Sequence, residues 1–518
     1  MSGRAATENV IPGRYAISVG DAEMPCPPGW AWRLLTDVAR LESGHTPSRN
    51  HPEWWGGTAP WIGIKDARAH HGRTILETVE CTNEEGLANS AARLLPSGTV
   101  CLSRTASVGY VVIMGKEMAT SQDFVNWVCS DAVFPNFLKW MFIAEKESLL
   151  RFSKGTTHST IYFPEVKAFQ VCLPPPPQQK RIVAKIEALQ ARSDAAKDAL
   201  DAIPALLEKF RQSVLAAAFR GDLTRKWREA HPQAEPASEL LKRTPEPVGK
   251  STGRAASDSL RVGRAGLSVG HPGTQPPPKW SWVPLGRIAK MESGHTPSRE
   301  HASYWNGDVA WIGIADAREH HGCEIHQTFQ TVTDEGIANS AARLLPARTV
   351  CLSRTASVGY VTIMGRSMAT SQDFANWICT TALVPEFLMY ALLAEGDGLR
   401  SFGEGSTHTT IYFPELKALH LCLAPLEEQR EIVRILQERL ASIDRLGAVV
   451  QAARDQQSAI NQSILAKAFR GELVPQDPTD EPAIVLLERI RRERGGGGDQ
   501  GTVKRGRGRP KAASQGAR

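Results

Sequence analysis

The chain has 518 residues, of which 42% are hydrophobic and 22% charged, and its formal net charge is +6. This length predicts roughly two to four domains, and the apolar content excludes a wholly disordered chain. The modest positive charge permits a nucleic-acid partner without requiring one. No run of about 18 apolar residues predicts a membrane span, and nine cysteines without a C-x-x-C pair indicate a reducing, cytoplasmic location.

Residues 1–27 lack the apolar core of a signal peptide, and we expect a flexible N-terminal segment there. The chain then repeats itself with a shift of 250 residues: "PPGWAW" at 27–32 aligns with "PPKWSW" at 277–282. Residues 87–110 differ from 337–360 at three of 24 positions. A unit of this length is a duplicated module of a domain and a helix, since solenoid repeats span only about 20–50 residues.

Each module begins with a globular segment, at 28–173 and 278–423. In the first module, the runs "APWIGI", "TVCLSR", "GYVVIMG" and "FQVCLP" are typical of short strands. Residues 134–152, "FPNFLKWMFIAEKESLLRF", are typical of helix. The mixture predicts a mixed α+β domain in each module.

Spacer helices follow at 174–243 and 424–490, where apolar residues recur at helical spacing after Pro174 or after "APLEEQ". Pro204 is expected to kink or restart the first helix. Gly221 and Gly471 are expected as C-caps. "EPASELLKR" and "EPAIVLLER" then predict a short second helix in each module.

Between the modules, residues 244–277 are rich in Gly, Pro, Ser and Arg and predict a flexible linker. Residues 491–518 predict a disordered basic tail. Within it, four residues resemble the core of an AT-hook, which lies in a narrow minor groove: Arg507, Gly508, Arg509 and Pro510. The alternative is a solvated tail that adds non-specific affinity.

The apolar stripe of a long helix has to be buried, and the matching helix of the other module is the natural partner. We therefore expect the long helices to form an antiparallel coiled coil and the modules to be related by a pseudo-two-fold axis, as in a dimer fused into one chain. Duplex DNA also has two-fold axes, which dimeric proteins use to bind two half-sites at a fixed separation.

The order of motifs resembles the specificity subunit of type I restriction–modification enzymes. "GHTPSR", "W-I-G-I", "G-T-T-H-S-T-I-Y-F-P-E", "QQKRIV" or "EEQREIV", and "AFRGDL" or "AFRGEL" carry the resemblance over 28–243 and 278–489. It implies two tandem target-recognition domains, each binding one half of a bipartite DNA target. It also implies that the helices act as spacers and that two methylation and two restriction subunits bind the chain in a phage-defence complex.

The resemblance further implies that the chain itself has no catalytic residues. Adenine-N6 methylation and ATP-dependent cleavage, with S-adenosylmethionine, ATP and Mg²⁺, then belong to the partner subunits. The residues agree, because the chain has no N-P-P-[FY], no G-x-x-x-x-G-K-[ST] and no H-E-x-x-H motif. We expect no cofactor and no metal ion on this chain.

Four motifs in each module offer hydroxyl, amide, imidazole and guanidinium groups suited to phosphates and base edges, with arginine favouring guanine and glutamine favouring adenine. They are "SGHTPSR", "SRTASVGY", "TSQDF" and the "THST" or "THTT" segment. The predicted DNA-binding residues are Thr46, Ser48, Arg49, Arg104, Thr105, Gln122 and His158, with Thr296, Ser298, Arg299, Arg354, Thr355, Gln372 and His408 in the second module.

Each motif also has a purely structural interpretation. Arg49 would then be salt-bridged inside its domain, and Arg104, which the DNA-contact interpretation places at the tip of a hairpin, would instead anchor the domain. "TSQDF" would cap a helix carrying Trp127. The "HHG" segments invite a metal interpretation, but no thiolate or carboxylate stands at a suitable spacing.

Three further hypotheses concern function. Because the modules are so similar, the target is expected to be an interrupted palindrome or nearly one. The E-x-K patterns in "PEVK" and "PELK", with Glu147 and Asp397 upstream, leave open a stand-alone duplicated metal-dependent nuclease. A specificity subunit of a methylation-only or phage-defence system is the other alternative.

Overall fold

The computed structural model describes residues 26–105, 107–151, 160–249, 266–267, 275–355, 357–400 and 410–496. The chain forms two compact units. One comprises Met1–Ala199 with Ala453–Arg518, and the other comprises Leu200–Ala452. Each unit therefore contains one globular lobe and a stretch of each long helix. We call 26–173 the first lobe and 275–423 the second lobe.

The first lobe contains three sheets, in which all pairings are antiparallel except those of Thr74–Ile75 with Val111–Met114 and of Trp55–Ile62 with Ala119–Thr120. In sheet order the strands are Ala31–Leu34 and Gln170–Leu173; Ala39–Ser43, Phe124–Cys129, Val100–Ser103, Val111–Met114 and Thr74–Ile75; Glu80–Thr82, Trp55–Ile62 and Ala119–Thr120. Its helices are Leu35–Val38, Ile64–Ala69, Glu84–Ala88, Pro135–Ala144, Lys146–Arg151 and Phe163–Lys167, with a 3-10 turn at Pro52–Trp54.

The second lobe repeats these elements. In sheet order its strands are His420–Leu423 and Ser281–Pro284; Ala289–Ser293, Phe374–Cys379, Val350–Ser353, Val361–Met364 and Glu324–Ile325; Gln330–Val332, Trp305–Ile312 and Ala369–Thr370. Gly266–Leu267, which precedes the lobe and has no counterpart among the described residues of the first lobe, pairs parallel with His420–Leu423. Its helices are Leu285–Ile288, Ile314–Glu319, Asp334–Ala338, Pro385–Glu395, Asp397–Arg400 and Phe413–Lys417, with a 3-10 turn at Ala302–Tyr304.

The central five-stranded sheet of each lobe is buried on both faces. In the first lobe, alternate residues of Val100–Ser103 enter different cores: Val100 and Leu102 pack with Phe137, whereas Cys101 packs with Ile62. Successive side chains of a strand point to opposite faces, so a strand covered on both sides is apolar throughout. The predicted mixed α/β domains and their strand runs are confirmed, and the described part of the predicted helical stretch forms the helices Pro135–Ala144 and Lys146–Arg151.

Both long helices have 44 residues, Pro176–Phe219 and Leu426–Phe469. The predicted restart at Pro204 is wrong, because the first helix continues through this residue. Proline removes one N–H donor, and the remaining bonds of the helix can hold a local distortion. The predicted C-caps are confirmed: Gly221 has φ +74°, its N–H bonds to Ala218 O and the next N–H bonds to Ala217 O, as in a Schellman motif.

Shorter helices follow, at Arg225–Ala230 and Ala237–Arg243 after the first long helix and at Ala483–Gly496 after the second. The predicted second helix of each module is thus confirmed. Among the residues that the structure describes, none of the helices could span a membrane.

Each lobe completes its core with the end of the long helix that follows the other lobe in sequence. In the first unit, Leu465, Ala468 and Phe469 share a core with Ile182 and Ile186. In the second unit, Val214, Leu215 and Phe219 share a core with residues that include Ile432 and Leu436. The apolar residues at the ends of both helices are thereby buried, as expected from amphipathic helices, whereas Leu206, Phe210 and Ile460 in the middle of the helices are exposed.

The two helix stretches run antiparallel within each unit. In the second unit Arg211 forms an ion pair with Asp444, and Leu207, one turn earlier, faces Gly447. In the first unit Gln457 Nε2 donates to Ser193 Oγ at 3.2 Å. The predicted antiparallel pairing is confirmed inside each unit, while the pseudo-two-fold axis stays a prediction.

Candidate nucleic-acid interface

Three segments meet at one edge of each lobe: the "SGHTPSR" loop, the end of the long strand Trp55–Ile62, and the "TSQDF" turn. In the first lobe, His45 N donates to Thr120 O at 2.8 Å and Ser121 N donates to Ile62 O at 3.0 Å. Trp61 Nε1 donates to His45 O at 3.0 Å. The equivalent bonds of the second lobe are 2.9, 3.0 and 3.2 Å long. Backbone bonding therefore fixes the loop against the strand.

Glycine is required where the loop passes closest to the turn. A Cβ atom at Gly44 would overlap the carbonyl oxygen of Ser121 and the hydroxyl of Thr120, and one at Gly294 would overlap the corresponding atoms of Ser371 and Thr370. The absence of a side chain lets the two backbones approach. This approach brings the polar residues of both motifs together.

Thr46 Oγ1 donates to Gln122 Oε1, and Thr296 Oγ1 donates to Gln372 Oε1. Both glutamines are exposed. The turn itself is held by Asp123, whose Oδ2 accepts from Ser121 Oγ at 3.0 Å. The threonine hydroxyl donates to the oxygen of each glutamine amide. The N–H₂ group of the same amide can therefore still donate to water or to a ligand.

"TSQDF" does not cap a helix. Trp127 lies on the strand Phe124–Cys129, which pairs with strands on both sides. The helical alternative for this segment was therefore wrong. The run "FVNWVC" has its first four residues buried, because the strand lies inside the central sheet, and a short apolar run cannot by periodicity alone be told from a buried helix.

Arg49 lies over the indole of Trp55, with its guanidinium carbon 3.9 Å from the ring centroid. It makes a two-pronged ion pair with Glu80, with N–O distances of 2.6 and 2.7 Å. This hydrogen bonding raises the pKa of Arg49 and lowers the pKa of Glu80. The exposed side chain of Arg49 is thus held flat on the aromatic surface with its charge compensated.

Arg299 occupies the same place over Trp305, at 4.5 Å from the ring centroid. Its partner is Gln330, whose Oε1 accepts from Arg299 Nη2 at 3.0 Å. A neutral amide replaces the carboxylate of the first lobe, so the charge of Arg299 is not compensated by this neighbour.

The second lobe has a recess of about 500 Å³ at this edge. Three predicted DNA-binding residues, Thr296, Arg299 and Gln372, line it together. The other lining residues are Trp311, Gly313, Ile314, Ala315, Asp316, Phe329, Gln330, Ser371 and Asp373. An aromatic wall with a cation, an amide and a hydroxyl suits contact with the edge of a base.

Arg104 and Arg354 do not lie at the tip of a hairpin. Ser103 N donates to Tyr110 O and Arg104 N donates to Asp123 O, so Arg104 lies at the base of the loop. Its Nη2 donates to Gln122 O at 3.1 Å, and its guanidinium carbon is 4.7 Å from the ring centroid of Phe163. Burial lowers its pKa. These contacts are those of an anchor, and the DNA contact of Arg104 stays a prediction.

The second lobe repeats this anchor: Arg354 Nη2 donates to Gln372 O at 3.1 Å and the guanidinium lies over Phe413. Thr105 forms an isolated bridge with Thr160, and Thr355 is half-buried beside Arg354.

The remaining candidates separate into two groups. Ser48 and Ser298 are exposed, and each hydroxyl accepts a backbone N–H two residues later, at 3.3 Å. The others lie outside the described residues: His158, His408, Arg507, Gly508, Arg509 and Pro510.

The "HHG" histidines serve the fold. His71 Nδ1 accepts from Val111 N at 3.1 Å, and His321 Nδ1 accepts from Val361 N at the same distance. Burial lowers the pKa of both imidazoles, which keeps them neutral as acceptors. In the described part of the chain, no group of three or more His, Cys, Asp or Glu side chains could hold a metal ion.

Sequence reasoning missed the partners of the two arginines, Glu80 and Gln330, and the exposed neighbours Val79 and Phe329. These residues lie in a segment with no recognisable motif. A residue-by-residue comparison of the two modules would have found them, because each pair occupies equivalent positions and differs in charge or size.

The model of the type I restriction modification DNA specificity domain matches residues 27–205 and 277–446, more than half of the chain. The chain belongs to this family. Its two matched segments coincide with the two lobes and the beginnings of the two long helices.

Other members of this specificity family are similar over most of the chain. The EcoDI specificity subunit of Escherichia coli is 24% identical over 442 residues, which are 82% of this chain and 89% of the relative. The StySPI specificity subunit of Salmonella potsdam is 28% identical over 384 residues, 71% of this chain and 73% of the relative.

Solved structures share the fold. A chain from a study of complex assembly and conformational transition of the type I R-M system is 21% identical with a TM-score of 0.63, over 87% of this chain and 100% of that chain. The HsdS subunit from Thermoanaerobacter tengcongensis is 21% identical with a TM-score of 0.53, over 87% of this chain and 99% of that chain.

Proposed function

We propose that this chain is the DNA-recognition subunit of a type I restriction–modification complex and that each lobe binds one half of a bipartite duplex target. The observation that carries the proposal is the repeated edge of the lobes. Each edge presents a threonine, a glutamine and an arginine over two tryptophan rings, in a chain of the DNA specificity family.

At this edge different side chains suit different parts of the DNA, some the base edges and others the phosphates. Arg299 offers a planar donor fork, which fits the O6 and N7 atoms of guanine, and the amide of Gln372 fits the N6 and N7 atoms of adenine. Thr296 and Ser298 supply hydroxyls for phosphate oxygens, which position the protein without selecting a sequence.

The proposal extends to the partners. Methyl transfer to adenine and ATP-dependent cleavage belong to two methylation and two restriction subunits, which hold S-adenosylmethionine, ATP and Mg²⁺ in the cytoplasm. The long helices set the gap between the half-sites, and the similarity of the lobes favours half-sites that resemble each other on opposite strands. The basic tail adds affinity for DNA.

The test is methylation mapping in cells that express the chain with the methylation subunits of its own operon. We expect one interrupted adenine-methylated motif, which disappears when the chain is omitted. Arg299→Ala should lower binding of a duplex with that motif by about ten- to a hundred-fold, since a good base contact contributes about 1–3 kcal/mol. Arg366→Ala, an exposed arginine of the same lobe that does not line the recess, should bind within about two-fold of the unaltered chain. A motif that persists without the chain contradicts the proposal.

No observation favours the nuclease alternative. The E-x-K residues lie on the short helices Phe163–Lys167 and Phe413–Lys417. Purified chain incubated with plasmid and Mg²⁺ separates the two functions: nicking in the absence of other subunits would support the nuclease, whereas intact plasmid with retained motif binding supports the proposal.

A further inference from the structure

The two modules differ strongly in the segment that forms one wall of the recess. Residues 73–83 and 323–333 differ at nine of 11 positions, whereas 87–110 and 337–360 differ at three of 24. Phe329 and Gln330 of this segment line the recess of the second lobe. Residues 87–110, which include the central strand Val100–Ser103, are thus nearly unchanged between the lobes, whereas the wall of the recess differs strongly.

The first consequence concerns the arginine. Glu80 engages both terminal nitrogens of Arg49, whereas Gln330 accepts one bond from Arg299. Within the described part of the chain, Arg299 therefore keeps donors and a charge that are available to DNA. Arg49 must first give up its carboxylate, and the same carboxylate would repel a phosphate or a base oxygen.

The second consequence concerns a displaced cation. Lys65 stands exposed on the helix Ile64–Ala69, and its charge acts on Glu80. The equivalent residue of the second lobe is Ala315, which lines the recess. At this edge the first lobe therefore offers an ammonium beside the paired Arg49, whereas the second lobe offers a guanidinium that is hydrogen-bonded to a neutral amide.

The third consequence concerns an apolar contact. Val79 and Phe329 occupy equivalent positions and are 75% and 68% exposed. Exposed large apolar side chains beside a polar recess commonly mark a binding surface. Phenylalanine adds an aromatic face that packs on a base or a thymine methyl group, and valine adds little.

We propose that residues 65, 79 and 80 of the first lobe and 315, 329 and 330 of the second determine a difference between the two half-sites. The second lobe binds guanine through the free fork of Arg299, with Phe329 against the neighbouring base. The first lobe contacts DNA here through Lys65, an ammonium whose three rotatable donors do not fix one base. The target is then an interrupted palindrome broken at this position. This inference rests on the proposed function and specifies it.

The test converts the first lobe into the second. The full chain carrying K65A, V79F and E80Q is expressed with its methylation subunits, and the methylated motif is mapped. We expect the first half-site to acquire the guanine of the second, with an enrichment of about ten-fold or more over the other bases at that position. The reverse set, A315K, F329V and Q330E, should remove the guanine preference of the second half-site.

Two single variants keep the test decisive if the triple variant does not fold. E80Q preserves shape, frees Arg49 and should by itself introduce a preference for guanine. E77Q makes the same charge change in the same segment, at a position whose counterpart is Gln327, and should leave the motif unchanged.

The outcomes separate the inference from the proposed function. A bipartite motif that depends on the chain but is unchanged by E80Q and by the triple set overturns the inference and leaves the proposed function standing. The inference is also overturned if the motif of the unaltered chain is perfectly palindromic. No chain-dependent motif at all overturns the proposed function.

Discussion

A buried carboxylate in the second unit gives a sharp test of how this unit is held together. Glu428 is fully buried and accepts from three side chains: Arg228 Nη1 at 2.5 Å, Thr224 Oγ1 at 2.7 Å and Trp280 Nε1 at 2.9 Å. It joins the beginning of the second long helix to the segment that follows the first long helix and to the lobe. Glu428→Ala removes all three acceptor contacts at once.

The expected loss of stability depends on which buried groups the substitution leaves without a partner. Breaking a buried ion pair by removing one partner costs about 3–5 kcal/mol, because the other charge stays buried and unpaired. Arg228 retains 14% exposure of its side chain and a bond to Gly221 O, so we expect about 3 kcal/mol. Glu428→Gln keeps one oxygen as the acceptor for Trp280 but places an N–H₂ group where Oε1 accepts from Arg228 and Thr224, which should cost about 2 kcal/mol.

Hydrogen exchange read by mass spectrometry localises the effect in the full chain, because peptides from each of its two units report separately. Peptides covering 220–231 and 278–290 should lose protection in Glu428→Ala, while peptides covering 176–190 of the other unit should not change. Glu427→Ala, the exposed neighbour, is the control.

The equivalent position of the first unit, Gln178, accepts from Trp30 Nε1 at 3.1 Å. It offers a matched comparison, since Gln178→Ala removes a buried acceptor and strands no charge. We expect about 1–2 kcal/mol there. Equal losses of protection for Glu428→Ala and Gln178→Ala, or no loss relative to Glu427→Ala, would refute the reasoning that a stranded arginine dominates.

Three further predictions concern the lobes. Gly44→Ala forces a Cβ atom against Ser121 O and should destabilise the first lobe by about 1–3 kcal/mol, as measured by urea unfolding. Gly56→Ala is the control: its new side chain meets no atom, although the positive φ adds some strain. Arg354→Met keeps the aliphatic stem and loses the bonds to two carbonyls, so the unfolding free energy of the second lobe should fall by about 2 kcal/mol; an unchanged urea midpoint would contradict the anchor. Burial and the nearby Lys146 charge lower the pKa of His71. As the pH falls below about 6.5, His71 is therefore protonated in the unfolded state before it is protonated in the folded state, and the stability of the lobe should fall. His71→Asn should flatten that part of the pH profile of the urea midpoint, and an unaltered profile would rule out this role.

The sequence by itself determined the local elements and the duplication. Strands, helices and caps depend on residues close together in the chain, as in the Schellman motif around Gly221, and their signals survive in the residue pattern. Because the chain repeats itself after 250 residues, each of these strand, helix and cap patterns occurs twice. The motif order was sufficient to identify the family.

The pattern failed where distant contacts outweighed local ones. "FVNWVC" was open to a helical interpretation because its alternation is hidden by burial on both faces. Pro204 was expected to kink or restart the first long helix, which continues through this residue. The apolar stripe of each long helix predicted that the helix packs against another apolar surface, but the stripe did not identify the residues of that surface.

Only the tertiary structure decided which atoms meet at the candidate interface. The bond from Thr46 to Gln122 joins residues 76 positions apart, and the pairing of Arg49 with Glu80 spans 31. It also decided that each lobe shares its core with the end of the long helix of the other module, as Phe137 does with Phe469 at 5.3 Å between ring centroids. Burial and periodicity specify that a side chain needs a neighbour, whereas the identity of that neighbour is set by how the whole chain packs.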